Sequence, residues 1–266
     1  MNRFLESRRT VPARDGTLYT LPDAAHAALL DALQDAALAM LDRGEWALPL
    51  GALRARCLAA VPKLDARETD NAHALRVFQH HVPCRVESLH DDGAVFAFFH
   101  KSLAEYLAAR ALFAAPAAAL AACSSGCFSK REPGVLSAFN DLALTHPRRR
   151  AVAALGPLYA AVTTAASSPS AAAVASNALA LLCASGQPLD GVDLSGVRAA
   201  ECNLQGADFS RALLRGAAIT RSNCRNARFD CADVSGLALE GNAYSIPLLP
   251  LEGHTNSVNS VAYSSN

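Results

Sequence analysis

From Leu189 onward every fifth residue is apolar: Leu189, Leu194, Ala199, Leu204, Phe209, Leu214, Ile219, Cys224, Phe229, Val234 and Leu239. Hydrophobic residues make up 52% of the chain, so an unbroken run of these eleven has a chance below about one in a hundred, even allowing five frames. Neither the helical period of ~3.6 nor the strand period of ~2 generates it. Two positions earlier the residues are mostly small or apolar (Val192, Val197, Cys202, Ala207, Ala212, Ala217, Ser222, Ala227, Ala232, Leu237). Glycine recurs two positions later, at Gly191, Gly196, Gly206, Gly216, Gly236 and Gly241. Polar residues such as Asp193, Asn203, Asp208, Asn223 and Asp233 stand just before the central residue. A chain with this pattern must repeat a unit of five.

The pattern resembles the pentapeptide repeats, whose units read A(D/N)LxG; Gly206-Ala-Asp-Phe-Ser210 and Cys231-Ala-Asp-Val-Ser-Gly236 are close matches. The resemblance implies a short right-handed quadrilateral β-helix over residues 187–245, one pentad per side. The expected core is Leu189, Leu194, Leu204, Phe209, Leu214, Ile219, Phe229, Val234 and Leu239. Small residues at the corners permit tight turns. Eleven pentads would make roughly 2.75 coils, about 13 Å of stack, with both ends needing cover. Pentapeptide proteins can also mimic DNA, which takes an acidic outer face. Here Asp190, Asp193, Glu201, Asp208, Asp230, Asp233 and Glu240 are offset by Arg198, Arg211, Arg215, Arg221, Arg225 and Arg228. Such a balance does not imitate a polyanion.

Charge balance holds for the whole chain, in which 24 Lys and Arg face 24 Asp and Glu. That argues against binding nucleic acid through bulk charge. Alanine supplies roughly a fifth of the 266 residues and aromatics only 6%, which favours alanine-rich helices over a large aromatic pocket. The apolar stretches Ala111–Cys123 and Ala151–Ala166 are broken by Pro116 and by Gly156-Pro157, so no membrane span is expected. The N-terminus lacks the apolar core of a signal peptide, and the chain is expected to be cytoplasmic. Its eight cysteines then read as reduced thiols. Cys123-Ser-Ser-Gly-Cys127 is the one close pair, and no second pair of zinc ligands accompanies it. Arg148-Arg149-Arg150 reads as a solvated helix start.

Upstream the signal is helical. Leu29, Leu33, Ala37 and Met40 mark an amphipathic helix over 21–41, stopped by Gly44; further helices cover 51–60 and 72–79. Cys84–Leu89 and Ala94–Phe99 flank Asp91-Asp92-Gly93, a hairpin turn, so helices precede a hairpin as in a winged-helix module. Ser102-Leu-Ala-Glu105 reads as a capping box opening the next helix. Residues 116–186 read as an alanine-rich helical spacer.

Two further resemblances frame these elements. Phe96-Ala-Phe-Phe-His100-Lys-Ser-Leu-Ala-Glu105-Tyr-Leu-Ala-Ala109 resembles the FxFxHKSxxEYxAA motif of NACHT-type (STAND) signalling NTPases, and residues 1–115 would then be the winged-helix-like end of that module. Leu251-Glu-Gly-His254 through Val258, Val261 and Tyr263 resembles an incomplete first WD repeat, at 246–266. The NACHT resemblance implies that His100 touches the β-phosphate of ADP in an intact parent, with ADP or ATP as its cofactor. In this chain no GxxxxGK[ST] occurs, so no cofactor is expected here and His100 has no nucleotide to read. The expected whole is a multidomain α + β chain: a non-catalytic regulatory scaffold, a piece of a larger switch protein. Its partners would be proteins, met through the β-helix and a propeller, with neither nucleic acid nor membrane. A free-standing interaction scaffold is the alternative; a nucleotide hydrolase would need a P-loop supplied by the parent.

Overall fold

The structure, a computed structural model, describes residues 2–12, 17–90, 93–146, 156–162 and 169–243. The WD-like segment at 246–266, Arg148-Arg149-Arg150 and the turn residues Asp91 and Asp92 lie outside them. The architecture is mixed α/β, with helices and small two- and three-stranded sheets.

Helix α1 (Asn2–Ser7) precedes an antiparallel hairpin of β1 (Thr10–Pro12) and β2 (Leu18–Thr20). No periodicity in the sequence signals this hairpin, whose strands are too short to alternate visibly. Helix α2 (Asp23–Arg43) follows and ends where Gly44 takes φ 71°, its N–H closing on Leu41 O. A side chain there would also displace the Arg131 guanidinium. Helix α2 has 21 residues and contains an 18-residue window with a mean hydropathy of 1.2, so by length and composition alone it could cross a membrane. In the fold its Leu29, Leu33, Ala37, Met40 and Leu41 are buried, and it packs on α5 and α3.

Strand β3 (Leu48–Pro49) leads into α3 (Leu50–Ala60), then α4 (Asp70–Arg76). Thr69 caps α4 by accepting from Ala72 N–H, and the helix widens into a π-turn at Val77–His81. Strands β4 (Cys84–His90) and β5 (Gly93–Phe98) pair antiparallel, from Cys84 opposite Phe98 to His90 opposite Gly93, with a bulge between Val86 and Ser88. The sheet order is β3-β5-β4, so β5 is central, and its Phe96 and Phe98 are buried.

Helix α5 (Lys101–Ala114) begins one residue before the expected box. Its N-cap is His100, whose carbonyl accepts from Leu103 N–H at 3.1 Å with no side-chain cap. Ser102 therefore lies inside the first turn, and the Ser102–Glu105 capping box does not form. Helices α6 (Pro116–Ala122) and α7 (Pro133–Thr145) both start with Pro in the first turn, where its missing N–H is harmless. Phe113 on α5 meets Phe139 on α7 edge to face, centroids 5.8 Å apart. After α8 (156–162), α9 (Pro169–Ala184) is buried all round from Ala175 to Leu182, as befits a helix with protein on every side.

The chain then changes register. Strand β6 (Arg198–Ala200) pairs parallel with β7 (Ala218–Thr220), twenty residues on. Isolated parallel bridges keep the same offset: Asp193 with Leu213, Asn203 with Asn223, Asp208 with Arg228, and Leu213 with Asp233. Four pentads thus carry the chain once round. Regular strand in the repeat is confined to β6 and β7 among the described residues, because a turn in each pentad interrupts the ladder before it lengthens. One apolar core runs from Leu5 in α1 to Phe229 in the repeat.

Candidate functional site

The repeat stack is the part of the chain built as a surface. Its inward residues Leu189, Leu194, Leu204, Phe209, Leu214 and Ile219 are at most 1% exposed and Phe229 is 7% exposed, whereas Val234 and Leu239 are half-buried. The difference follows chain order, since Val234 and Leu239 lie in the last described coil. Phe209 and Phe229, one coil apart, stack with centroids 5.1 Å apart and planes 17° from parallel.

The structure gives the glycine positions a reason. Gly191, Gly196, Gly206, Gly216, Gly236 and Gly241 all have positive φ, and so do Glu201, Arg211, Arg221, Asn226 and Cys231 at the equivalent place in their pentads. Each pentad turns through the left-handed region whatever residue it carries. The polar residue before the central position supports that turn. Asp193, Asp208 and Asp233 accept the N–H two residues on, at 3.0, 3.0 and 3.1 Å. These are Asx turns. The Ser235 hydroxyl first, and the Arg215 guanidinium after it, pull the Asp233 carboxyl down to about 2. Ser210 holds Asp208 low, and Ser195 does the same for Asp193.

Outside, charges pair between coils: Arg211 with Asp190, Arg215 with Asp233, Arg221 with Glu201 at 3.2 Å, and Arg228 with Asp208 at 3.8 Å, while Arg228 also meets its near neighbour Asp230 at 2.7 Å. These pairs are exposed and screened, so they add little stability, yet they leave the flank near neutral. Leu213 breaks the pattern. It is 38% exposed and sits between Asp193 and Asp233 in the parallel register, at a position polar in most coils.

The first coil has no coil beneath it, so its backbone needs other partners. Asn223 N–H donates to Cys202 O one coil down at 2.8 Å; Asn203 N–H, its counterpart in the first coil, donates instead to Ser129 Oγ at 2.9 Å. Ala200 N–H donates to Ser176 Oγ at 3.0 Å. Lys130 Nζ donates to Arg221 O, and Tyr159 Oη to Pro188 O at 2.7 Å. Beneath this seam lies Asn177, fully buried on α9. It accepts from Phe128 N–H at 2.9 Å and donates to Cys123 O and Gly126 O, each at 3.0 Å. The α6–α7 loop and α9 together seal what would be an open sheet edge, the feature that templates aggregation.

Elsewhere, His100 is exposed at the start of α5. Its motif neighbours do structural work that the sequence does not signal. Lys101 Nζ lies 2.7 Å from Glu132 Oε2 and 3.8 Å from Glu105 Oε1, with its cation 5.3 Å from the Trp46 ring centroid. Trp46 Nε1 donates to Glu132 Oε1 at 3.1 Å, and Glu132 raises the Lys101 pKa. The pair Cys123 and Cys127 also separates: Cys123 Sγ is directed to Leu38 O, while Cys127 Sγ lies 3.1 Å from Ser129 Oγ. No group of three or more metal-ligating side chains occurs among the described residues.

Residues 189–216 and 207–241 match the pentapeptide-repeat family, in eight copies. The segment consists of pentapeptide repeats. No curated protein matches the chain. The comparisons give no support to the NACHT-type or WD-repeat resemblance.

Proposed function

We propose that the chain is a non-catalytic protein-interaction scaffold. Its pentapeptide repeats form a short right-handed four-sided β-helix, and the helical body is the platform that carries it. The observation that supports this reading most directly is the seam. The first coil's edge is closed by Ser129 and Ser176, so the coil sides, rather than the edge, remain to meet a partner. The mutual pairing of the outer arginines and carboxylates supports a protein partner over nucleic acid, which would need unpaired cations.

Leu213 provides the test. A photo-crosslinking residue placed there in the cell is expected to capture one protein partner in excess over the same residue placed at Leu144, an exposed leucine on α7. Equal capture at both positions overturns the scaffold reading, and so does ATP turnover by the purified chain.

One observation favours a second reading. The order α2–β3–α3–α4–β4–β5 with sheet order β3-β5-β4, followed directly by the His100 motif, supports reading residues 1–115 as a winged-helix-like module. In that reading the repeats are the arm of a NACHT-type switch protein whose ADP meets His100. A P-loop encoded upstream in the transcript is the expected result, and a transcript without one removes this reading.

A further inference from the structure

The N-terminal hairpin is held to the body at few points. Strands β1 and β2 pair only with each other among the described residues, and an isolated two-stranded hairpin is marginal in water. Its order therefore depends on attachment. Leu5 and Val11 are buried, the Arg8 guanidinium lies 5.4 Å from the Phe99 ring centroid, and Arg8 Nη1 donates to Gln79 O at 3.4 Å. Arg9 pairs with Asp23 at the start of α2. One tie comes from the opposite direction. His81 Nδ1 lies 2.7 Å from Arg8 O, and since a carbonyl only accepts, the ring donates.

That bond fixes the tautomer and leaves Nε2 bare. His81 is 2% exposed at the end of the π-turn, and its Nε2 is buried with no partner among the described residues. A π-turn is a rare local form that recurs at functional sites. The charged groups that face the ring are all basic: Arg8 from the N-terminal segment, Arg76 from α4 and His80 from its own turn. Glu68, the nearby carboxylate, is engaged with Arg76 at 3.0 Å and with His73 at 3.5 Å. We propose that His81 is an acid-sensitive latch: a proton on its ring releases α1 and the β1–β2 hairpin from the body and bares Phe99, the residue before His100.

The proton has a definite place to go. It adds at Nε2, creating a buried N–H without an acceptor and one more cation among Arg8, Arg76 and His80. Burial first holds the docked ring below its ordinary 6.5, against the bond to the Arg8 carbonyl, and the neighbouring cations add to the lowering. A released ring regains water and its ordinary affinity for the proton. The latch is therefore fully closed above 6.5 and is lost as pH falls from there toward the docked value. One proton is taken up per opening, so the opening constant rises by at most about tenfold per pH unit.

Hydrogen exchange on the full chain between about pH 7.5 and about pH 5.5, corrected for intrinsic rates, tests this. The range lies above ordinary carboxylate titration and so reads imidazole. Protection of the Leu21 amide, which donates to Arg9 O, and of the β1 and β2 amides should fall about fivefold to tenfold, while the α5 amides keep theirs. His81→Gln keeps a donor for Arg8 O but cannot titrate, and should remove the fall. His26→Gln alters a second buried histidine, which shares a cleft with Leu5 and Glu6, and should leave the fall in place. If His81→Gln does not fold, titration of the His81 ring by NMR in the unsubstituted chain decides, with a midpoint below 6.5 expected. Flat protection across the range, equal loss in α5, a fall that persists in His81→Gln or vanishes in His26→Gln, or a midpoint at or above 6.5 overturns the proposal.

Discussion

Phe229 lies over Phe209 one coil below it, rings 17° from parallel and centroids 5.1 Å apart. The pair spans two coils at the centre of the stack, with Phe209 fully buried and Phe229 7% exposed. Truncation of a buried Phe costs about 3–5 kcal/mol, at the high end where the cavity cannot collapse. Phe209→Ala is expected to fall at that end, since coils lie on both sides of it, and Phe229→Ala lower. A double-mutant cycle in urea denaturation should show a coupling of about 0.5–1.5 kcal/mol between them. Additive losses would mean that the rings share the core without interacting.

Asn177 carries the next prediction. Its amide satisfies Phe128 N–H and two carbonyls, Cys123 O and Gly126 O, all with no exposed surface on the asparagine. Asn177→Ala leaves these groups buried and unpaired, at a cost of about 2–4 kcal/mol. Hydrogen exchange at the Phe128 amide should accelerate before global unfolding, because the loop loosens first. The Asn203 amide, held by Ser129 on that loop, should follow it.

What was legible in the sequence divides along the same line. The five-residue period survives in the sequence because every coil reuses the same inward position, so Leu189 through Phe229 announce themselves. The α2 helix and its Gly44 stop were readable for a like reason, as local periodicity and a local cap. The seam was not. Ser129, Ser176 and Asn177 are single polar residues from separated segments, and nothing in their neighbourhoods marks them as partners of Asn203, Ala200 and Phe128. Proximity along the chain also misled: Cys123 and Cys127 are close in sequence, yet Cys123 Sγ is directed to Leu38 O and Cys127 Sγ to Ser129 Oγ. The Ser102–Glu105 spacing fits a capping box, but the helix is capped two residues earlier, at His100, and Glu105 is committed to Lys101 instead.

Cys231 occupies the left-handed turn of its pentad at φ 56° with an exposed side chain. An L-residue there carries a penalty of about 1–2 kcal/mol, while glycine adds about 0.5–1 kcal/mol of entropy to the unfolded chain. Cys231→Gly should therefore stabilise the chain by about 1 kcal/mol or slightly less, and Gly236→Ala should destabilise it, with both read from the urea midpoint. Arg211→Gly is the informative contrast, since it relieves the same strain but removes the ion pair with Asp190. Its net gain should be smaller at low salt and approach that of Cys231→Gly as salt screens the pair.

Acid should unfasten the stack through its Asx turns. Asp233 is drawn from an ordinary 3.8 to about 2 by the Ser235 hydroxyl and then Arg215, and Asp208 and Asp193 are shifted in the same direction by Ser210 and Ser195. A carboxylate whose folded pKa is depressed contributes its stability in full above the unfolded value, and loses it as pH falls toward the folded one. The melting temperature should thus be flat with respect to these groups above about pH 5 and fall between about pH 4 and pH 2. Asp233→Asn keeps an acceptor for the Ser235 N–H but has no proton to take up. It should start from a lower melting temperature at neutral pH, because the Arg215 pair is gone, and then fall less steeply in acid than the unsubstituted chain. Parallel acid limbs for the two proteins would show that Asp233 does not carry this dependence.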